Sequence, residues 1–172
     1  LAIKKCMDTL WQRGRKPLEI RAVTVDGTSG TVVPLDEKKR PLRDALMYND
    51  MRAAEQAVKI HEHAGELEKK MGYVFNASFA LPKILWIKEQ EPQIYKKTKY
   101  MAHQSDSISG RFTGEYGVTD YSNALKSGFD MKEEVWPNLL DLLGLDRRIF
   151  PAVIPPGQVI GNVTKEIAEE FG

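Results

Sequence analysis

Residues Val25–Ala53, VDGTSGTVVPLDEKKRPLRDALMYNDMRA, carry the densest information about the fold. Two apolar runs, Thr31–Leu35 and Ala45–Tyr48, are separated by a charged turn at 38–41, and the β-branched run Glu19–Thr24 leads into the stretch. Short apolar runs bounded by glycine, proline and charged residues are typical of β-strands. The stretch therefore predicts three consecutive strands.

Helical spacing of apolar residues dominates the rest of the chain. Short strands are predicted at Lys99–Ala102 and Val159–Gly161, and residues 67–79 are predicted to be loop. Two helices are predicted from a single apolar face each, the first with Ile3, Met7, Leu10 and Trp11 and the second with Met51, Ala54, Ala57, Val58 and His61. A third helix is predicted to begin at Leu81 with Pro82 in its first turn, and Asp106–Arg111 is predicted to be a helical turn. The last two predicted helices are one with Trp136, Leu139, Leu140 and Leu143 that ends at Gly144, and one that Thr164 caps. Strands near the start and helices later predict an α/β fold with a small mixed sheet.

Composition excludes several classes of protein. The 172 residues carry 25 Lys and Arg against 24 Asp and Glu, spread along the chain, so no nucleic-acid footprint is expected. No apolar run is long enough to cross a membrane, so a cytoplasmic protein is expected. The single cysteine, Cys6, is predicted to be a buried small hydrophobe in a reducing compartment. Because the first residues already lie within a helical pattern, the chain is expected to be a piece of a longer protein.

The glycine-rich part, VDGTSGTVV at 25–33, could bind phosphate groups, bind a sugar or form only a hairpin turn. A phosphate loop needs a lysine after the second glycine and then a helix, whereas Gly30 is followed by Thr31 and a predicted strand. A dinucleotide-binding fingerprint fails for the same lack of a helix. A plain hairpin turn remains open, and so does a site for a polyol, because hydroxyl groups on Thr28, Ser29 and Thr31 beside Asp26 match the donors and acceptors of a sugar.

Other polar residues also allow two interpretations each. Asn49 and Asp50 follow a predicted strand, where α/β proteins place ligand-binding side chains, but both residue types also cap helices. Arg52 can pair with Asp50 or substrate, or lie solvated at the surface. Asp120 lies in a polar cluster for which capping of a following helical turn is the favoured interpretation. The histidines of His61-Glu62-His63 are two residues apart, so they face different sides of a helix. The favoured interpretation is therefore the surface end of a helix, and no metal site built by the protein is predicted.

The order of five blocks resembles the FGGY family of carbohydrate kinases over nearly the whole chain. The blocks are Val25–Ala53 with Tyr48-Asn-Asp50-Met-Arg52 in place of the family's Trp-x-Asp-x-Arg, Ala80–Trp86 with Glu91-Pro92, Arg111–Glu115, Thr119–Ala124, and Pro151–Thr164. This resemblance implies a ribonuclease H-like, actin-like ATPase domain with a mixed sheet flanked by helices. It also implies that residues 1–172 are part of the sugar-binding N-terminal domain, with the first strand hairpin before Leu1 and the nucleotide-binding domain after Gly172.

The resemblance further implies an ATP-dependent kinase that uses Mg²⁺ and phosphorylates a hydroxyl of a small sugar. No catalytic residue is expected in this chain, because the aspartate base would follow it. Substrate contacts are expected at Gly27, Thr28, Ser29, Gly30, Asp50, Arg52 and Asp120. Xylulose kinases carry Gly-Gln-Met-His-Gly in the first loop, whereas Thr28 and Ser29 stand here. The stretches VDGTSGT and ALMYND resemble the D-ribulose kinase branch of the family, so a ketopentose, D-ribulose or D-xylulose, is the expected substrate, with D-ribulose favoured.

A second hypothesis is a non-catalytic sugar-binding or regulatory module of actin-like fold, in which the loop is only a turn. In either case the expected partner is a small sugar, with neither nucleic acid nor membrane bound. Without its first hairpin the piece would expose a sheet edge, so marginal stability or association into a homo-oligomer is expected.

Overall fold

A computed structural model describes residues 2–171, which form an α/β fold of helices around two small sheets. The strands and helices follow one another in this order: α1 Ala2–Gln12, β1 Val32–Leu35, α2 Ala54–Met71, α3 Ala80–Gln90, α4 Pro92–Lys97, β2 Tyr100–His103, α5 Gln104–Thr113, β3 Val118–Asp120, α6 Tyr121–Lys126, α7 Leu139–Leu142, β4 Ala152–Ile154 and α8 Lys165–Phe171. None of the helices in this part of the chain is both long and apolar enough to span a membrane.

The first sheet pairs β1 with β2 in antiparallel fashion, with Val32 opposite His103 and Leu35 opposite Tyr100. The second sheet pairs β3 with β4 in parallel. The predicted strand Ala45–Tyr48 contributes only a single bridge, between Leu46 and Val32. The predicted runs Thr31–Leu35 and Lys99–Ala102 are therefore confirmed as strands, while the third run lies beside β1 as irregular chain.

The predictions of strands at Glu19–Thr24 and Val159–Gly161 are wrong. Residues 20–28 are irregular, and residues 21–28 make no backbone to backbone hydrogen bond within the described part of the chain. Residues 157–164 are likewise irregular. An alternating apolar pattern forms a strand only when a neighbouring strand accepts and donates its backbone hydrogen bonds, and neither segment has one here.

Helix α2 is longer than predicted, because it continues through residues 67–71 and ends at Gly72 in the left-handed conformation (φ +75°). Its buried side is formed by Gln56, Ala57, Ile60, Ala64 and Glu68. Val58 and His61, which were expected on the inner face, are exposed instead. The inner face thus consists of Ala57, Ile60 and Ala64 with Gln56 and Glu68 at its two ends, whereas the predicted members Val58 and His61 face solvent.

The main core lies between α2, α3, β1 and the segment around α7. Its fully buried residues include Val32, Leu46, Ile60, Leu81, Ile84, Ile87 and Leu140. Helix α1 has no buried residue and contacts α8, where Trp11 Nε1 donates to the Phe171 carbonyl at 2.9 Å. The prediction that Cys6 is buried is wrong, since it is exposed on this peripheral helix. An amphipathic pattern shows which face is apolar but not how much of it becomes covered.

We expect Ile60→Val to lower the free energy of unfolding by about 1 kcal/mol, because it removes one methylene from a closed core. Val58→Ala is the matched control on the same helix, since Val58 is 63% exposed, and we expect it to have little effect. Urea titration of both variants checks this. Equal losses would show that the inner face of α2 is wrongly assigned.

Candidate functional site

The loop Gly27–Gly30 joins an irregular segment to β1, so it is not the turn of a β-hairpin. Gly30 has φ +87°, and a Cβ at this position would overlap the Ser78 carbonyl oxygen. Gly27 lies against Ser105 near the start of α5. The loop is thus closely packed at both ends, and its hairpin interpretation is wrong. Thr28 is exposed and Ser29 is half-buried, and neither side chain makes a hydrogen bond within residues 2–171.

A hydrogen bond connects this loop to the block that begins at Tyr48. The Tyr48 backbone N–H donates to Thr31 Oγ1 at 3.1 Å, and Thr31 is fully buried. Lys83 then joins three segments, because its Nζ donates to the carbonyls of Ala77 at 2.7 Å, Phe79 at 3.2 Å and Tyr48 at 3.4 Å. The structure therefore brings together two stretches that the sequence analysis selected separately.

Asp50 and Arg52 form a close ion pair. Arg52 Nε lies 2.9 and 3.0 Å from the two carboxylate oxygens of Asp50, and the Arg52 backbone N–H also donates to Asp50 Oδ1. These bonds from Arg52 hold the pKa of Asp50 below its ordinary value. The guanidinium of Arg52 also lies 5.0 Å from the ring centre of Trp86, within cation–π range. Asp50 is thus an ionised acceptor in a fixed orientation.

The helix-cap interpretation fails for Asn49 and Asp50 but is confirmed for Asp120. Helix α2 begins at Ala54 and its N-cap is Ala53, so neither Asn49 nor Asp50 caps it. Asp120, by contrast, is the N-cap of α6 and accepts from the Asn123 N–H at 2.9 Å.

A cleft of about 780 Å³ brings Asp120 close to the beginning of the loop. Its walls come from residues 21–26, α5, the end of β3 with the start of α6, and residues 154–163. Asp26, which directly precedes Gly27, and Ser105 both line it. The glycine loop therefore begins next to the rim of this cleft, and none of Gly27–Gly30, Asp50 and Arg52 is among the lining residues.

The cleft also contains a buried carboxyl that the sequence analysis did not select. Asp106 is 6% exposed and accepts from the His103 N–H at 3.0 Å, and burial raises its pKa to about 6. Three residues before it, His103 is fully enclosed, and burial lowers its pKa to about 4, so its ring is neutral. Its Nε2 pairs with Ser127 Oγ at 2.9 Å. His103 is the N-cap of α5 and Asp106 follows three residues later, which is the spacing of a capping box. This spacing is the feature of the sequence from which Asp106 could have been selected.

The described residues do not fit a nucleotide or a metal ion. Residues 2–171 contain no group of three or more His, Cys, Asp and Glu placed to hold a metal. The glycine loop leads into β1 rather than a helix N-terminus, so it has no cradle for phosphate. His61 and His63 lie in the middle of α2 rather than at a helix end, and His61 Nδ1 pairs with Glu68 Oε2 at 2.6 Å.

Comparison with known proteins places these features in a family. The model of the FGGY family of carbohydrate kinases, N-terminal domain, matches residues 2–172. A xylulose kinase of Streptomyces rubiginosus is 33% identical over 161 residues, which cover 91% of this chain and 33% of that relative. A glycerol kinase of Thermococcus gammatolerans is 30% identical over 175 residues, covering 95% and 34%. The chain spans about a third of the length of the curated relatives it matches.

A solved structure shows the same fold. A ligand-bound xylulose kinase from Lactobacillus acidophilus superposes with a TM-score of 0.87 at 20% identity, over 99% of this chain and 35% of that one. This likeness confirms the predicted actin-like ATPase fold.

Proposed function

The chain belongs to the FGGY family of carbohydrate kinases, and on that premise we propose that it supplies the sugar-binding part of an ATP-dependent kinase. The proposed substrate is a ketopentose, D-ribulose or D-xylulose. One observation carries the proposal. The loop Gly27–Gly30 is held closely against Ser78 and Ser105, it follows Asp26 at the cleft rim, and its two hydroxyl side chains make no hydrogen bond within residues 2–171. Hydroxyls in fixed positions match the donors and acceptors of a polyol.

The other proposed contacts have complementary chemistry. Asp50 is ionised and partly exposed, so its carboxylate can accept hydrogen bonds from sugar hydroxyls in addition to those from Arg52. Asp120 uses one oxygen to cap α6, and its other oxygen is available to the cleft. Because Asp50 and Asp120 do not share the cleft, we propose Thr28 and Ser29 as the central contacts and the two carboxylates as contacts at opposite sides.

We also propose that the rest of the enzyme lies outside residues 2–171. The described residues contain neither a phosphate cradle nor a metal cluster. The binding sites for ATP and Mg²⁺ and the catalytic base would therefore lie in a region that corresponds to the two thirds of the relatives that this chain does not match. The unpaired backbone at 21–28 supports a further strand beside it in the complete protein, in the position implied for the first hairpin.

The test is phosphoryl transfer by the complete gene product that carries this sequence. We expect ADP release with D-ribulose or D-xylulose, and we expect Ser29→Ala to lower kcat/KM about tenfold, because a lost hydrogen bond to a bound hydroxyl costs about 1.5 kcal/mol. Ser107→Ala is the control, since Ser107 is also half-buried but lies in α5, outside the glycine loop.

The same assay separates the two functional hypotheses. Pentulose binding without ADP release would favour the non-catalytic module. Absence of both binding and turnover with every pentulose would refute the proposed substrate class. Equal effects of Ser29→Ala and Ser107→Ala would refute the placement of the substrate at this loop.

A further inference from the structure

Lys83, on the first turns of α3, is a fully buried charged side chain with no carboxylate partner at hydrogen-bond distance within residues 2–171. Its three hydrogen bonds all go to backbone carbonyls, two in the loop at 76–79 and one at Tyr48. Burying an ammonium group is costly unless its donors are satisfied. A lysine in this position therefore needs a structural or functional reason beyond filling space.

The contacts of Lys83 form part of a closed ring that includes the glycine loop. Starting from Lys83, the ring passes to the carbonyls of Ala77 and Phe79, and the Ser78 carbonyl between them contacts Gly30. From Gly30 it continues to Thr31, whose hydroxyl accepts from the Tyr48 N–H, and the Tyr48 carbonyl returns to Lys83. Every segment of this ring is held by at least two others.

From this ring we infer that Lys83 is a positioning residue for the substrate loop, a role that rests on the proposed function. The ammonium group touches neither the loop hydroxyls nor the cleft. It acts by holding the 76–79 loop and Tyr48 at a fixed separation, and the glycine loop lies between these two supports. Thr28 and Ser29 are then presented in one geometry, which lowers the ordering cost when a sugar binds.

The chemistry of lysine suits this role. Three donors on one atom can satisfy three carbonyls from two separate segments, which an apolar side chain of equal length cannot do. Lys88, on the same helix, donates to a single carbonyl, that of Leu143 at 2.7 Å, and contacts no part of the ring. The two lysines therefore share a helix and a charge, and they differ in the segments to which their ammonium groups are bound.

The first experiment measures amide hydrogen exchange in the complete gene product. We expect Lys83→Met to accelerate exchange at Tyr48 and Phe79 at least tenfold, with Ile60 in α2 unchanged. Lys88→Met should leave the Tyr48 and Phe79 amides unchanged. Unchanged exchange at these two amides in Lys83→Met, or an equal acceleration in both lysine variants, would overturn the inference.

The second experiment measures steady-state kinetics with the pentulose that the unaltered protein phosphorylates. We expect Lys83→Met to raise KM for the sugar at least fivefold with a smaller change in kcat, and Lys88→Met to leave both unchanged. An unchanged KM would overturn the inference. If Lys83→Met does not fold, Thr31→Val breaks the same ring at another point with little change in volume, and the same exchange and kinetic results are expected from it.

The two proposals fail in different ways. If the unaltered protein phosphorylates no pentulose, the proposed function fails, and the exchange measurement alone still decides whether Lys83 anchors the loop. If the protein is an active kinase but the Lys83 and Lys88 variants behave alike, the proposed function stands and the positioning role is refuted.

Discussion

Gly30→Ala is expected to lower the free energy of unfolding by about 2 to 5 kcal/mol. Alanine in the left-handed conformation costs about 1 to 2 kcal/mol, and overpacking a closed site costs about 1 to 3 more. The second contribution applies because the new Cβ would overlap a backbone carbonyl, that of Ser78. Ser78 has little freedom to move, since its N–H is bound to Asn76 Oδ1 at 2.9 Å and both neighbouring carbonyls are bound to Lys83.

Gly157→Ala is the matched control for this prediction. Gly157 has a nearly identical φ of +83°, but nothing lies within 4 Å of the position that its Cβ would occupy. We expect Gly157→Ala to cost only the conformational part, about 1 to 2 kcal/mol. Urea titration of both variants gives the difference directly. Equal losses would show that the contact between Gly30 and Ser78 does not constrain the loop.

The second large effect concerns pH, because two neighbouring buried groups respond to acid in opposite directions. His103 has a pKa of about 4 in the folded protein, below its ordinary 6.5, so folding releases a proton and stability rises with pH between about 4 and 6.5. Asp106 has a pKa of about 6, above its ordinary 3.8, so folding takes up a proton and stability falls with pH between about 4 and 6. Each of these two pKa shifts changes the free energy of unfolding by about 3 kcal/mol across its pH range, so the two changes nearly cancel.

We therefore expect Asp106→Asn to uncover a loss of about 3 kcal/mol in unfolding free energy as pH falls from 6.5 to 4, because only the His103 contribution remains. The unaltered protein should change little over this range. Carboxyls whose pKa is held below the ordinary value, such as Asp50, lose their contribution only below about pH 4, outside this window.

The measurement is urea unfolding at half-unit steps from pH 4 to 7. His103→Gln serves as the opposite variant, since removing its contribution should leave stability that falls as pH rises from 4 to 6. Flat profiles for both variants would contradict the assignment of buried, oppositely shifted groups. Parallel slopes for the two variants would contradict it equally.

Local patterns predicted those elements whose signals are complete within a few residues. Thr164 directly precedes α8, and the Ile167 N–H donates to its hydroxyl at 3.4 Å, as expected of an N-cap. Pro82 lies in the first turn of α3, and Pro92 begins α4. The family was also recognisable from the order of its blocks, and the N-terminal domain model matches residues 2–172.

Elements that form only when a distant part of the chain packs against them could not be predicted from their own residues. Glu19–Thr24 has the alternation of a strand, but its backbone finds no neighbour within the described residues. Cys6 lies in an amphipathic helix, but the helix packs at the periphery and the cysteine stays exposed. In both cases the sequence shows which groups need a partner, while the presence of that partner depends on other parts of the chain.

By itself, the sequence determined the family, the α/β class and the glycine loop as the candidate sugar site, because each depends on residue types in a fixed order. Only the tertiary structure decided that Lys83 is fully buried and donates to the carbonyls of Ala77, Phe79 and Tyr48, and that His103 and Asp106 are buried together. The physical reason is burial. A lysine, a histidine and an aspartate have ordinary chemistry in water, and their roles here come from desolvation and from carbonyls and amides that folding brings within hydrogen-bond distance.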